Sequence, residues 1–122
     1  MLKKVLAVDD DPYILDALVE LLKYSGYDVN TTPKADEVFK KIDEYSPDII
    51  LLDIMLSGLD GREICREIKA NKKTSMIPVI MISATPNLTQ SVLESGANDF
   101  VAKPFDIFLL LDKIEQQLLK AS

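Results

Sequence analysis

The sequence contains no histidine. That excludes zinc sites built from His and Cys, and any serine or cysteine nucleophile activated by an imidazole. A single cysteine, Cys65, cannot close an intrachain disulfide, which fits a reducing compartment. It reads as a small apolar core residue in preference to a reactive thiol. No apolar run approaches the ~20 residues that a membrane-spanning helix needs. Met1-Leu2-Lys3-Lys4 runs directly into a strand pattern, which leaves no room for a signal peptide. Basic residues are in deficit: 14 Lys and Arg against 20 Asp and Glu give a net charge of −6. Direct nucleic-acid binding ordinarily wants a basic face. The expectation is a cytoplasmic protein that binds neither membrane nor nucleic acid.

What is present is apolar and regularly spaced. With 122 residues, 48% of them hydrophobic, the chain has the length and core of one domain, residues 1–122. Val5 to Val8 form a first apolar run. It ends at Asp9-Asp10-Asp11-Pro12, where Asp11 suits an N-cap and Pro12 the first helical position. Ile14, Leu15, Leu18, Val19, Leu21 and Leu22 then recur at helical spacing to about Tyr24, and Gly26 fits the turn after that helix. Tyr27 to Thr31 is a more polar strand, placed nearer a sheet edge. Thr32-Pro33 repeats the cap-then-proline signal before a second helix carrying Ala35, Val38, Phe39 and Ile42.

The most apolar stretch is Pro47-Asp48-Ile49-Ile50-Leu51-Leu52-Asp53-Ile54-Met55-Leu56. A short continuous apolar run bounded by turn residues predicts a strand buried on both faces, as in a parallel sheet. Leu56 to Gly61 reads as a loop, and Ile64, Cys65 and Ile68 mark a third helix ending near Asn71. Ile77 to Ile82 is a fourth strand ending at Ser83. Thr85-Pro86-Asn87 opens a short helix carrying Val92 and Leu93, which Gly96 stops. Asp99 to Ala102 is a fifth strand ending at Lys103-Pro104, and Asp106 can cap a last helix with Leu110, Ile114 and Leu118 at its core. Five alternating strand–helix units predict an α/β fold: a parallel sheet with right-handed crossovers and helices on both faces.

Ligands of open α/β sheets bind beyond the carboxyl ends of the strands. Those ends carry Asp9 and Asp10, Asp53, Ser83 and Lys103. A lone Asp after a strand is ordinarily a cap or turn residue, and Asp11 is read that way. The joint occurrence at four strand ends is what points to a site. Carboxylates gathered about 4 Å apart repel by roughly 1 kcal/mol per pair in water and ~4 at an effective dielectric of 20. Either one is protonated or a cation binds. An acidic all-oxygen site suits Mg²⁺, which keeps several waters and often completes its shell with phosphate oxygens. Ser83 and Lys103 add a hydroxyl and a cation for further phosphoryl oxygens. The set suits phosphoryl transfer, with a carboxylate as the candidate nucleophile.

The chain resembles the receiver domains of bacterial two-component response regulators. The resemblance rests on Val8-Asp9-Asp10-Asp11, on the stretch from Pro47 to Leu56, on Asp60-Gly61, Ile80-Met81-Ile82-Ser83-Ala84, Gly96-Ala97-Asn98-Asp99-Phe100 and Lys103-Pro104-Phe105. It implies a three-layer α/β/α, flavodoxin-like fold with five parallel strands in the order 2-1-3-4-5. It also implies that Asp53 accepts a phosphoryl group from the phosphohistidine of a sensor histidine kinase or a histidine phosphotransfer protein. Asp9, Asp10 and Asp53, with the Met55 backbone carbonyl, would bind Mg²⁺ (Mn²⁺ as an alternative). Lys103 would pair with Asp53 and later with the phosphoryl oxygens, while Ser83 turns inward and Phe100 acts as the switch aromatic. The Lys103–Pro104 bond would be cis. Met55 and Thr85 would flank the phosphoryl group and set its lifetime. Partners would be the donor, a downstream target or output domain, and a phosphorylation-dependent second copy. Such a chain is a signalling switch that assists its own phosphorylation and is not a conventional enzyme.

Three departures stand out. Ser57 occupies a position where many members have proline, which predicts a looser loop after Asp53. Phe100 replaces a frequent tyrosine. The interval from Ser83 to Lys103 is short, so the fourth helix or the loop before it must be reduced. Two rivals fit less well. A phosphatase of the haloacid dehalogenase type would want an Asp-x-Asp nucleophile motif after the first strand, and a flavin mononucleotide binder a hydroxyl-rich loop there in place of three aspartates.

Overall fold

The computed structural model describes residues 2–84 and 88–121. Among these residues the elements run β1 (Lys4–Val8), α1 (Pro12–Tyr24), β2 (Asp28–Thr32), a 3-10 turn (Ala35–Glu37), α2 (Val38–Tyr45), β3 (Ile49–Asp53), β4 (Met55–Leu56), β5 (Leu59–Asp60), α3 (Gly61–Ala70), β6 (Val79–Ser83), α4 (Thr89–Glu94), β7 (Asp99–Ala102) and α5 (Ile107–Ala121). Five strands form a parallel sheet in the order β2-β1-β3-β6-β7. Counted within that sheet alone, the order is the expected 2-1-3-4-5. β4 and β5 pair separately as a short antiparallel hairpin.

The sheet separates two apolar layers. Leu6, Val8, Ile50, Leu52 and Met81 point toward Val38, Ile42, Ile64, Ile68 and Val92, so α2, α3 and α4 cover one face. Val5, Ala7, Ile49, Leu51 and Ile80 point toward Leu15, Leu18, Leu22, Leu110 and Ile114, so α1 and α5 cover the other. This alternation follows from the two-residue period of a strand. It explains why β3 and β6 are apolar at nearly every position: both faces are covered, and all five residues of each strand are buried. Each such Leu, Ile or Val contributes about 1.5–3 kcal/mol of burial. β2 has solvent on its free side and is the more polar strand. No helix among the described residues is long and apolar enough to cross a membrane.

Local signals behave largely as expected. Asp11 caps α1, accepting from Tyr13 N, with Pro12 at the first helical position. Asp106 accepts from the backbone N–H groups of Phe108 and Leu109 at the start of α5. α4 is short, six residues.

Four expectations need correction. Leu56 to Gly61 is not an irregular loop: Ser57 (φ 42°) and Gly58 (φ 86°) both take positive φ, the geometry of a two-residue hairpin turn. Thr32 does not cap the second helix. The ladder to β1 claims it, pairing it with Val8, and the chain re-enters helix through the 3-10 turn. The fourth strand starts at Val79, because Ile77 N–H is turned back to the Thr74 carbonyl. Leu93 stands half exposed, leaving Val92 as the inward residue of α4.

Candidate functional site

The sheet register carries the candidate residues to one edge. Val8 pairs with Leu52, so Asp9 and Asp53 leave adjacent strands at the same level. Asp53 itself pairs with Ile82, and Ser83 with Ala102, so Ser83 and Lys103 emerge beside them. The Lys103 N–H donates to the Ser83 carbonyl at 2.8 Å, which extends the ladder to the end of β7. The Lys103–Pro104 peptide bond is cis.

Carboxylate oxygens of Asp9, Asp10 and Asp53 lie within 4.8 Å of one another. Asp9 is 2% exposed and Asp53 5%, whereas Asp10 faces solvent. Asp9 is held on both oxygens: Oδ1 accepts from Asp11 N (2.9 Å) and Oδ2 from Lys103 Nζ (2.8 Å). Lys103 Nζ also donates to Asp53 Oδ2 at 3.3 Å. The resemblance puts Lys103 against Asp53; it bridges both carboxylates, and its shorter contact is to Asp9. Asp53 Oδ1 accepts a longer bond, 3.4 Å, from Met55 N.

The electrostatics follow from this crowding. Burial raises the Asp53 pKa, and the neighbouring Asp9 charge raises it further; Lys103 and the Met55 N–H oppose the shift without cancelling it. Burial works against the Lys103 ammonium, but the hydrogen bond and charge of Asp9, then those of Asp53, outweigh it and raise its pKa. Two buried carboxylates and a third at the rim, all hard oxygen donors, suit a small divalent cation.

The loop after Asp53 is built around two contacts. A Cβ on Gly61 would stand 2.1 Å from the Asp53 carbonyl oxygen, so only glycine lets α3 start this close to the strand. Gly61 N–H donates back to the Ile54 carbonyl at 2.6 Å. Asp60 caps α3, accepting from Arg62 N. The Arg62 guanidinium grips the same carboxylate and donates to Ser91 Oγ in α4 at 2.9 Å.

The turn of the hairpin is tied to the site: Ser57 N and Ser57 Oγ both donate to Asp10 Oδ2, each at 3.0 Å. The sequence predicts a looser loop at Ser57, and these two bonds are what the structure offers to hold the turn there. The residue exchanges proline's rigidity for a double hydrogen bond across 47 positions of sequence. The turn signal of Gly58 is legible in the sequence; the long-range partner of Ser57 is not.

The remaining candidates occupy distinct places. Ser83 is 1% exposed at the end of β6. Phe100 pairs with Met81 and, by strand alternation, shares a sheet face with Ser83 two residues along. It is half-buried against the α2–α3–α4 layer, outside the carboxylate cluster. Met55 opens β4 with 64% of its surface exposed, two residues beyond Asp53. Thr85 lies outside the described residues.

Comparison with known proteins agrees with this fold. A family model described as the response regulator receiver domain matches residues 5–115. The fold superposes on a CheY-like response regulator receiver domain protein from Methanospirillum hungatei with a TM-score of 0.89 at 34% identity, covering 99% of this chain and 97% of that one. The receiver domain of NtrX from Brucella abortus matches with a TM-score of 0.85 at 36% identity, covering 93% and 97% of the two chains. A longer NtrX structure from the same organism matches with a TM-score of 0.90 at 34% identity. There 99% of this chain corresponds to 28% of the NtrX chain.

Proposed function

Because the chain belongs to the response regulator receiver domain family, the responding component of two-component signalling, we propose that it is a phosphorylation-activated switch whose phosphoacceptor is Asp53. The observation that carries this reading is the Lys103 bridge between buried Asp9 and Asp53, with the Asp10 carboxylate in reach. In the transfer step a carboxylate oxygen of Asp53 forms the O–P bond as the N–P bond to a donor phosphoimidazole breaks. The donor is a sensor histidine kinase or a histidine phosphotransfer protein. Asp9, Asp10 and Asp53, with the Met55 carbonyl, would hold Mg²⁺ or Mn²⁺, whose charge neutralises phosphoryl oxygens. Lys103 follows the charge from carboxylate to phosphoryl oxygen, and the Ser83 hydroxyl donates to another. Gathering these groups at Asp53 biases a two-state surface in which Phe100 and α4 take part.

On this reading the chain assists a single transfer onto itself, without turning over a separate substrate. Its readers are a downstream target or attached output domain, and a second phosphorylated copy. The domain itself makes no direct contact with nucleic acid, in keeping with its net charge of −6, and the exchange takes place in the cytoplasm. The test is incubation with acetyl phosphate and Mg²⁺ followed by intact mass. One phosphoryl group on the wild type and none on Asp53→Asn is expected. No adduct on the wild type, or an equal adduct on Asp53→Asn, overturns the assignment.

A further inference from the structure

Asp9 and Asp53 are fixed by burial and by Lys103, but Asp10 is exposed and its position needs another cause. Ser57 supplies it. Its N–H and its hydroxyl converge on the one oxygen Oδ2, at 3.0 Å each, and leave Oδ1 uncommitted by these bonds. The geometry depends on the turn: Ser57 sits at φ 42° and Gly58 at φ 86°. Proline is locked near φ −65° and has no N–H, so no proline at this position can make either bond.

We infer that Ser57 is a positioning residue for cation binding: it pre-orders Asp10 for the shared site. This rests on the reading of Asp9, Asp10 and Asp53 as the metal carboxylates. A free surface carboxylate must lose rotamer freedom when a cation takes it, and a carboxylate already held has lost it. Partners that orient a ligand from behind commonly set affinity by about 10- to 100-fold. Linkage makes the effect reciprocal. A cation that engages Asp10 stiffens the Met55–Asp60 hairpin through Ser57, before any phosphoryl group arrives.

The experiment measures Mn²⁺ affinity of the unphosphorylated protein by electron paramagnetic resonance, for the wild type and for Ser57→Ala, Ser57→Gly and Ser57→Pro. Ala and Gly both delete the hydroxyl, while Gly also relieves the positive φ. Both are expected to bind about tenfold more weakly than the wild type, the lower end of such effects, and Pro more weakly still. The Ser57 amide is expected to gain hydrogen-exchange protection when Mg²⁺ is added to the wild type. If turn strain is all that matters, Gly binds at least as well as the wild type, and the inference fails. It fails equally if Ala and Gly both match the wild type. A wild type that binds no Mn²⁺ overturns the metal-site reading itself.

Discussion

Replacing Asp53 with asparagine should make the metal-free protein more stable. Two other carboxylates lie within 4.8 Å of Asp53, and each such pair repels by at least about 3.5 kcal/mol at an effective dielectric of 20. Lys103 Nζ at 3.3 Å returns about 5 kcal/mol on the same scale. Repulsion therefore leads, and burial of Asp53 adds to it, in line with its raised pKa. The exposed position of Asp10 lets water screen part of its share. A net gain of about 1–2 kcal/mol for Asp53→Asn is expected, or roughly 3–8 °C in melting temperature. The sign with pH follows from the direction of the shift. A carboxyl whose folded pKa is raised costs no stability below its unfolded pKa, and the cost grows as pH rises through the folded value. The advantage of the asparagine variant is thus full only above the folded pKa of Asp53 and fades on acidification toward the ordinary carboxylate value. Calorimetry in chelator checks this. Mg²⁺ should then reverse the order, since a cation at 100 times its Kd adds about 2.7 kcal/mol to the wild type and less to the variant. A variant that melts at or below the wild type in chelator would refute the reasoning, because Lys103 and the Met55 N–H would then outweigh the repulsion.

Lys103→Met should cost about 3 kcal/mol or more without metal, since it strands Asp9 and Asp53 as buried, unpaired charges. With its raised pKa, the Lys103 contribution is intact below the ordinary lysine value and is lost as pH rises through the folded one; urea melts at neutral and strongly alkaline pH should differ accordingly. Gly61→Ala should lose about 2–3 kcal/mol in urea unfolding despite alanine's better helix propensity, because the new Cβ meets backbone at 2.1 Å; an unchanged midpoint would count against the close approach. Met55 is exposed beside Asp53 and offers attacking water no hydrogen bond. Slow self-dephosphorylation is expected, with Met55→Asn speeding it about three- to tenfold, the worth of one hydrogen bond in the transition state. A time course of the phosphorylated form reads this directly, and fast loss in the wild type that the substitution does not change would sink the idea.

The sequence by itself determined the five strands of the sheet, the helices between them and their direction, though not the Met55–Asp60 hairpin. Apolar runs at Ile49–Leu52 and Val79–Ile82, helical spacing from Ile14 to Leu22, and caps at Asp11 and Asp106 are local signals, and each acts within a turn or two of chain. The placement of Asp9, Asp10, Asp53, Ser83 and Lys103 at strand ends followed, since parallel strands point one way. Tertiary structure alone decided who touches whom. Lys103 reaches Asp9 across 94 positions and lies nearer to it than to Asp53. Ser57, legible only as a departure from a familiar pattern, closes on Asp10, and the value of Gly61 depends on the Asp53 backbone that packs against it. Propensity is a property of neighbours in sequence. The distances between carboxylates, ammonium and turn are set by sheet register and by the path of a two-residue hairpin, and these exist only once the chain has folded.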